Sequence, residues 1–205
     1  LGVQGRWYLL ALAAKPDMAE AHQMLGNALA NLDEHASATA ELERAAALAP
    51  DDKSIFLDLG LAYYAAGRIE AALLAWQQAL VLDPDYFKAH ARLGVALFRL
   101  ERNEQAAAHF SKAIALNPDD APAHANLAGV MYQMGNIPAA VEHLEVALRL
   151  DPDNAALREQ LATAYWRLGK LDKAWDQLRR AQALGREVDP QFRAALERDT
   201  KAEAE

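Results

Sequence analysis

The sequence predicts an all-α solenoid, a stack of short helix pairs with no sheet. Three observations predict it. Of 205 residues, 47 are Ala and 31 are Leu, while Val, Ile and Thr together supply only 14; Ala and Leu favour helix and β-branched residues favour strands. Five of the eight prolines, Pro16, Pro50, Pro84, Pro118 and Pro152, stand 34 residues apart. Leu25, Leu59, Leu93, Leu127 and Leu161 keep the same ruler, as do two alanine series that start at Ala38 and at Ala45. Finally, each period holds two amphipathic runs with helical spacing, which is the signature of a repeat array.

The elements follow in order. Residues 1–18 carry the second helix of an incomplete repeat, with Tyr8 and Ala11 on its packing face and Pro16 closing it. With repeat position 1 at residue 19, five repeats run over 19–52, 53–86, 87–120, 121–154 and 155–188. The second shows the plan. Ile55, Phe56, Leu59 and Tyr63 form one run, and Gly67-Arg68 breaks it. Ile69, Ala72, Leu73, Trp76, Ala79 and Leu80 form the other. Asp83-Pro84-Asp85 ends the pair, because proline cannot continue a helix and Asp favours turns and caps. Pro122 and Pro138 follow Asp120 and Asn136, so they belong to first turns, where proline is tolerated. Residues 189–205 form a capping helix and an acidic tail. Phe192, Ala195 and Leu196 lie on one side of that helix, and Arg193, Glu197, Arg198 and Asp199 on the other. Such a cap shields the last unit of a stack from water.

Small residues recur for a packing reason. Gly or Ala at position 8, and Ala at positions 20 and 27, let helix axes approach closely. Larger residues at 7, 11 and 24 fill the remaining gaps. This pattern resembles the tetratricopeptide repeat (TPR) family over residues 19–188. The second repeat matches the whole signature with Phe56, Leu59, Gly60, Tyr63, Ala72, Trp76, Ala79 and Pro84. The resemblance implies a right-handed superhelix of antiparallel helix pairs. Two departures are local. Position 4 is His22, His90, His124 and Arg158 in the other repeats, which is expected to weaken that packing site. Arg186 stands where the fifth repeat should have Pro.

Chemistry is scarce. The chain has no Cys, which excludes disulfides, thiolate metal sites and Cys nucleophiles. A net charge of −8 disfavours nucleic acid and anionic membranes as partners. The longest apolar run, Trp7 to Ala14, is far below the ~20 residues that span a bilayer, so no direct membrane insertion is expected. No catalytic motif is present, and neither a cofactor nor a metal is expected. The Asp-Pro-Asp segments read as turn and cap residues. His22, His90 and His124 sit in different repeats, too far apart to share an ion, and His109 and His143 read likewise as packing or surface groups. Arg outnumbers Lys two to one, which suggests a GC-rich bacterial genome. Cytoplasm and periplasm both fit. Because the chain starts at Leu1 and within a helical pattern, it reads as trimmed, and an upstream anchor stays open.

What remains is binding. The resemblance implies a concave groove lined by the first helix of each repeat, which would take a protein or peptide. Position 12 is aromatic in four repeats: Tyr64, Phe98, Tyr132 and Trp166. These rings either hold apolar side chains of a partner or pack within their own repeats. Lys88, Arg92, Arg99 and Arg167 place cations in the groove of an acidic chain, either for carboxylates or as solvated charge paired with Asp58 and Glu159. Asn27 and Asn126 complete the candidate set. Asn27, Lys88 and Arg92 match the carboxylate clamp of chaperone-binding members of the family, but Gln23 and Asp58 do not, and Asp58 would oppose an incoming carboxylate. An interaction scaffold is therefore the expected function. The alternatives are a regulatory segment of a larger enzyme, such as a glycosyltransferase, or self-assembly through Trp7, Leu9, Leu10 and Leu12 of the first helix.

Overall fold

The computed structural model describes residues 3–204, without the side chains of residues 3–6, 9, 11 and 204. The expectations for Leu9 and Ala11 therefore lie outside the described residues. Among those residues every regular element is an α-helix and none is a strand. The chain divides into two compact units, Leu1–Leu100 and Glu101–Glu205.

The first unit runs α1 (Val3–Ala14), α2 (Ala19–Ala30), α3 (His35–Leu48), α4 (Lys53–Ala65), α5 (Ile69–Leu82) and α6 (Phe87–Arg99). Successive helices pack on one another, with α2 against α3 and α4 against α5 forming the closest pairs. In addition, α2 meets α4 and α4 meets α6, so the first helices of successive repeats lie side by side. The second unit runs α7 (Asn103–Leu116), α8 (Ala121–Gln133), α9 (Ile137–Leu150), α10 (Ala155–Arg167), α11 (Leu171–Ala183) and α12 (Pro190–Ala204). It has the same serial packing, and α12 closes it against α11.

The two alanine series lie at the bottom of this packing. Ala38, Ala72, Ala106, Ala140 and Ala174 are fully buried, as are Ala45, Ala79, Ala113, Ala147 and Ala181. A larger side chain there would push helix axes apart in an interior already at crystal-like density. Position 8 is tighter still. A β-carbon on Gly26 would come 2.6 Å from Leu42 Cγ, and one on Gly60 would overlap the Trp76 indole. That indole is 1% exposed and donates its N–H to the Leu57 carbonyl at 3.1 Å, which satisfies the polar end of the largest core side chain.

Turns follow from local chemistry. Asp52, Asp120, Asn136 and Asn154 cap α4, α8, α9 and α10 by accepting backbone N–H groups. Asp83 accepts the Asp85 N–H at 3.1 Å and pairs with Lys53 at 2.5 Å. Asp151 accepts from the Asn154 amide at 2.8 Å. These contacts account for the first carboxylate of each Asp-Pro-Asp segment. Position 15 of every repeat is left-handed, with φ of 76° at Gly67, 80° at Gly135 and 68° at Gly169, but 59° at both Asp33 and Glu101.

Position 4 does more than fill space. His22 Nε2 lies 2.9 Å from the Pro16 carbonyl, His90 Nε2 3.1 Å from that of Pro84, and His124 Nε2 3.2 Å from that of Pro118. Arg158 Nη2 donates to the Pro152 carbonyl at 2.5 Å. The other end of the same side chain reaches position 23 of its own repeat: Glu41 from His22 at 2.6 Å, His143 from His124 at 3.0 Å, Gln177 from Arg158 at 3.1 Å. The expected weakening of this site is thus offset by a polar staple between the preceding turn and the second helix. A second link recurs at position 11. Tyr63 donates to Glu43 at 2.6 Å and Tyr165 donates to Glu145, in each case reaching the preceding repeat. Burial and the Glu43 bond push the Tyr63 hydroxyl up to about 12.

Candidate partner-binding face

In the first unit the candidate residues come from α2, α4 and α6. Helical periodicity puts Gln23 and Asn27 on one face of α2, Ser54, Asp58 and Tyr64 on α4, and Lys88, Arg92 and Arg99 on α6. Asp58 is half-buried, and one of its oxygens, Oδ2, accepts both the Gln23 amide at 2.8 Å and the Asn27 amide at 2.7 Å. Gln23 also reaches the Ser54 hydroxyl at 3.3 Å, which is itself held by Asp52. This network ties α2 to α4. Sequence reasoning places Asn27 and Asp58 on this face but does not pair them; the structure joins them through Asp58 Oδ2.

The other side of the face is different. Lys88 and Arg92 are exposed and make no ion pair or hydrogen bond among the described residues. The Arg99 guanidinium lies 5.3 Å from the centre of the half-buried Tyr64 ring, within cation–π range. Tyr64 rests in turn against Trp76, with ring centres 6.0 Å apart. Phe98 is half-buried on the same helix. The α6 face therefore carries three cations with no carboxylate spent on them, over a ring anchored in the core.

In the second unit, Asn126 and Tyr132 are half-buried on α8, and Tyr132 packs against the hydrophobic cluster of the unit. Arg167 is exposed at the end of α10 and makes no ion pair or hydrogen bond among the described residues. Trp166 is held by the cap. Its indole N–H donates to Asp199 Oδ2 at 2.8 Å, and Phe192 meets its ring edge-on at 5.5 Å between centres. The Trp166 bond, with help from Arg198, holds the Asp199 carboxyl below its ordinary value. Trp175 donates to Thr200 at 2.9 Å, and Leu196 is fully buried. The ring at position 12 of the last repeat thus serves as an anchor for α12. Glu159, half-buried on α10, pairs with Arg186 at 2.6 Å.

Among the described residues no group of three or more His, Asp or Glu side chains converges as a metal site would, and no helix is long and apolar enough to cross a membrane. On α1, Trp7 and Leu10 are 65% and 62% exposed.

A family model described as a TPR repeat matches residues 60–101, 96–135 and 129–169, and one described as a tetratricopeptide repeat matches 19–52. The chain belongs to the tetratricopeptide repeat family. No curated protein matches it. Among solved structures, this TPR chain is similar to MamA, at 24% identity and a TM-score of 0.74 over 78% of this chain and 94% of that one. It is similar to YrrB, described as a TPR protein with an unusual peptide-binding site, at 20% identity and a TM-score of 0.70 over 86% and 91%. PilF of Pseudomonas aeruginosa aligns at 20% identity and a TM-score of 0.76 over 83% and 78%. At such identities the likeness establishes the fold.

Proposed function

We propose that this TPR protein is a non-enzymatic interaction scaffold that holds a peptide or partner helix against the first helices of its repeats. The α6 face of the first unit is the principal contact. One observation carries the reading: among the described residues Lys88 and Arg92 stand exposed and unpaired beside Arg99, which lies over Tyr64, in a chain whose net charge is −8. Such cations favour a segment that brings carboxylates, with an apolar residue seated near Tyr64 and Phe98. The face is built on helices, so binding needs little backbone change. YrrB, with its peptide-binding site, is a relative in fold that is consistent with this use.

The test begins with a partner recovered by pull-down and mass spectrometry, followed by calorimetric titration of its binding segment. Arg92→Ala with Arg99→Ala should weaken binding at least tenfold, since about 1.4 kcal/mol corresponds to a factor of ten. The circular dichroism spectrum and the melting curve should stay as in the parent. Unchanged affinity refutes the assignment of this face.

A further inference from the structure

The second unit holds a cavity of about 530 Å³ between α10 and the cap, within the range of ~300–1,000 Å³ in which ligands bind. Its α10 wall is the stripe of Glu159, Gln160, Thr163 and Trp166, at helical spacing. Its roof is Phe192 and the start of α12. We infer that this cavity receives an arginine side chain presented by a partner segment. The inference deepens the scaffold reading and rests on it.

Hydrogen-bonding capacity is the first argument. Among the described residues only Oε2 of the Glu159 carboxylate has a partner, the Arg186 Nε at 2.6 Å. Asp189, which also lines the cavity, uses one oxygen to accept the Gln191 N–H at 2.8 Å and keeps the other. The Thr163 hydroxyl donates its proton back to the Glu159 carbonyl at 3.0 Å, so toward a ligand its oxygen acts as an acceptor. Glu159 Oε1, Asp189 Oδ2 and the Thr163 oxygen are therefore acceptors with no donor partner among the described residues. A guanidinium offers five donors and no acceptor.

The wall is the second argument. The Trp166 N–H is committed to Asp199, which leaves the ring itself as the contact, and guanidinium groups stack on such rings. Charge is the third. Glu159 and Asp189 face a single lining cation, Arg186. The arginines on the adjacent helix are already matched, Arg193 with Glu197 and Arg198 with Asp199, both at 3.1 Å. Arg186 comes from the turn after α11, is about half exposed, and makes with Glu159 the contact a partner's arginine would make. It is thus an internal competitor for the site.

The test uses the full chain and a capped Ala-Arg-Ala peptide, followed by NMR through the Trp166 indole N–H, which Trp166→Phe identifies. The peptide should shift that signal in a saturable way. Its citrulline counterpart, the same shape without charge, should bind at least tenfold more weakly. Glu159→Gln should weaken the arginine peptide at least tenfold, and Arg186→Ala should tighten it severalfold. Equal binding of the two peptides, no shift of the Trp166 signal, or indifference to Glu159→Gln overturns the inference. None of those results touches the α6 face, whose titration depends on Arg92 and Arg99. Conversely, an insensitive α6 face with an intact arginine site would refute the scaffold assignment there and not the cavity.

Discussion

Glu101→Gly should stabilise this protein, although it removes a side chain and adds a glycine. Position 15 of each repeat ends the first helix in a left-handed residue; three repeats use Gly there, while Asp33 and Glu101 hold φ of 59°. That conformation costs a residue with a β-carbon about 1–2 kcal/mol. Glycine gives back roughly 0.4–1 kcal/mol by loosening the unfolded chain. Glu101 is exposed and makes no hydrogen bond or ion pair among the described residues that would be lost. The balance is a gain of about 1 kcal/mol, or a melting temperature about 2–4 °C higher in a chain of this size. Urea unfolding followed by circular dichroism reads the change. Gly67→Ala is the reciprocal control, since a β-carbon there meets nothing within 4 Å and any loss is purely backbone. If Glu101→Gly gives no gain, or Gly67→Ala no loss, the strain argument fails.

Two further outcomes follow from the polar contacts. Asp58→Ala should destabilise the protein by about 1–2 kcal/mol in urea, because it strands the half-buried Asn27 amide and leaves Gln23 only its longer bond to Ser54; an unchanged midpoint would mean that the network is not structural. Burial, and then the proximity of His124, hold His143 below its ordinary value of 6.5. A lowered histidine leaves the unfolded chain binding the proton first, so stability present above 6.5 should be lost as the pH falls through the lower folded value. His143→Asn should flatten that loss, and an equal acid slope in both proteins would refute the assignment.

Much of the fold is legible because packing demands are local and repeat. An alanine that must be fully buried between two axes reappears wherever the same two axes meet, so Ala38 predicts Ala72, Ala106, Ala140 and Ala174. Helix ends are legible where Gly67 or Pro84 marks them, and less so at Asp33 and Glu101, where the same backbone geometry carries an ordinary side chain. On the candidate face, the spacing of Lys88, Arg92 and Arg99 places them together on α6, since a single helix decides it. The position-4 staples had a signal in the sequence, a proline always six residues before the His or Arg, but the identity of the carbonyl acceptor had to come from the packed turn.

The sequence by itself determined the repeat length, the helix pairs and which residues share a helix face, all consequences of short-range geometry and of a volume limit that recurs every 34 residues. Tertiary structure decided which of the facing groups remain available. Asp58 Oδ2 accepts from Gln23 and Asn27 of the neighbouring helix, the Trp166 N–H is taken by a cap some thirty residues away, and Arg92 has no partner among the described residues. The physical reason is that a hydrogen bond or ion pair is settled by distances of a few tenths of an ångström between separate helices, and a pattern along one chain does not carry those distances.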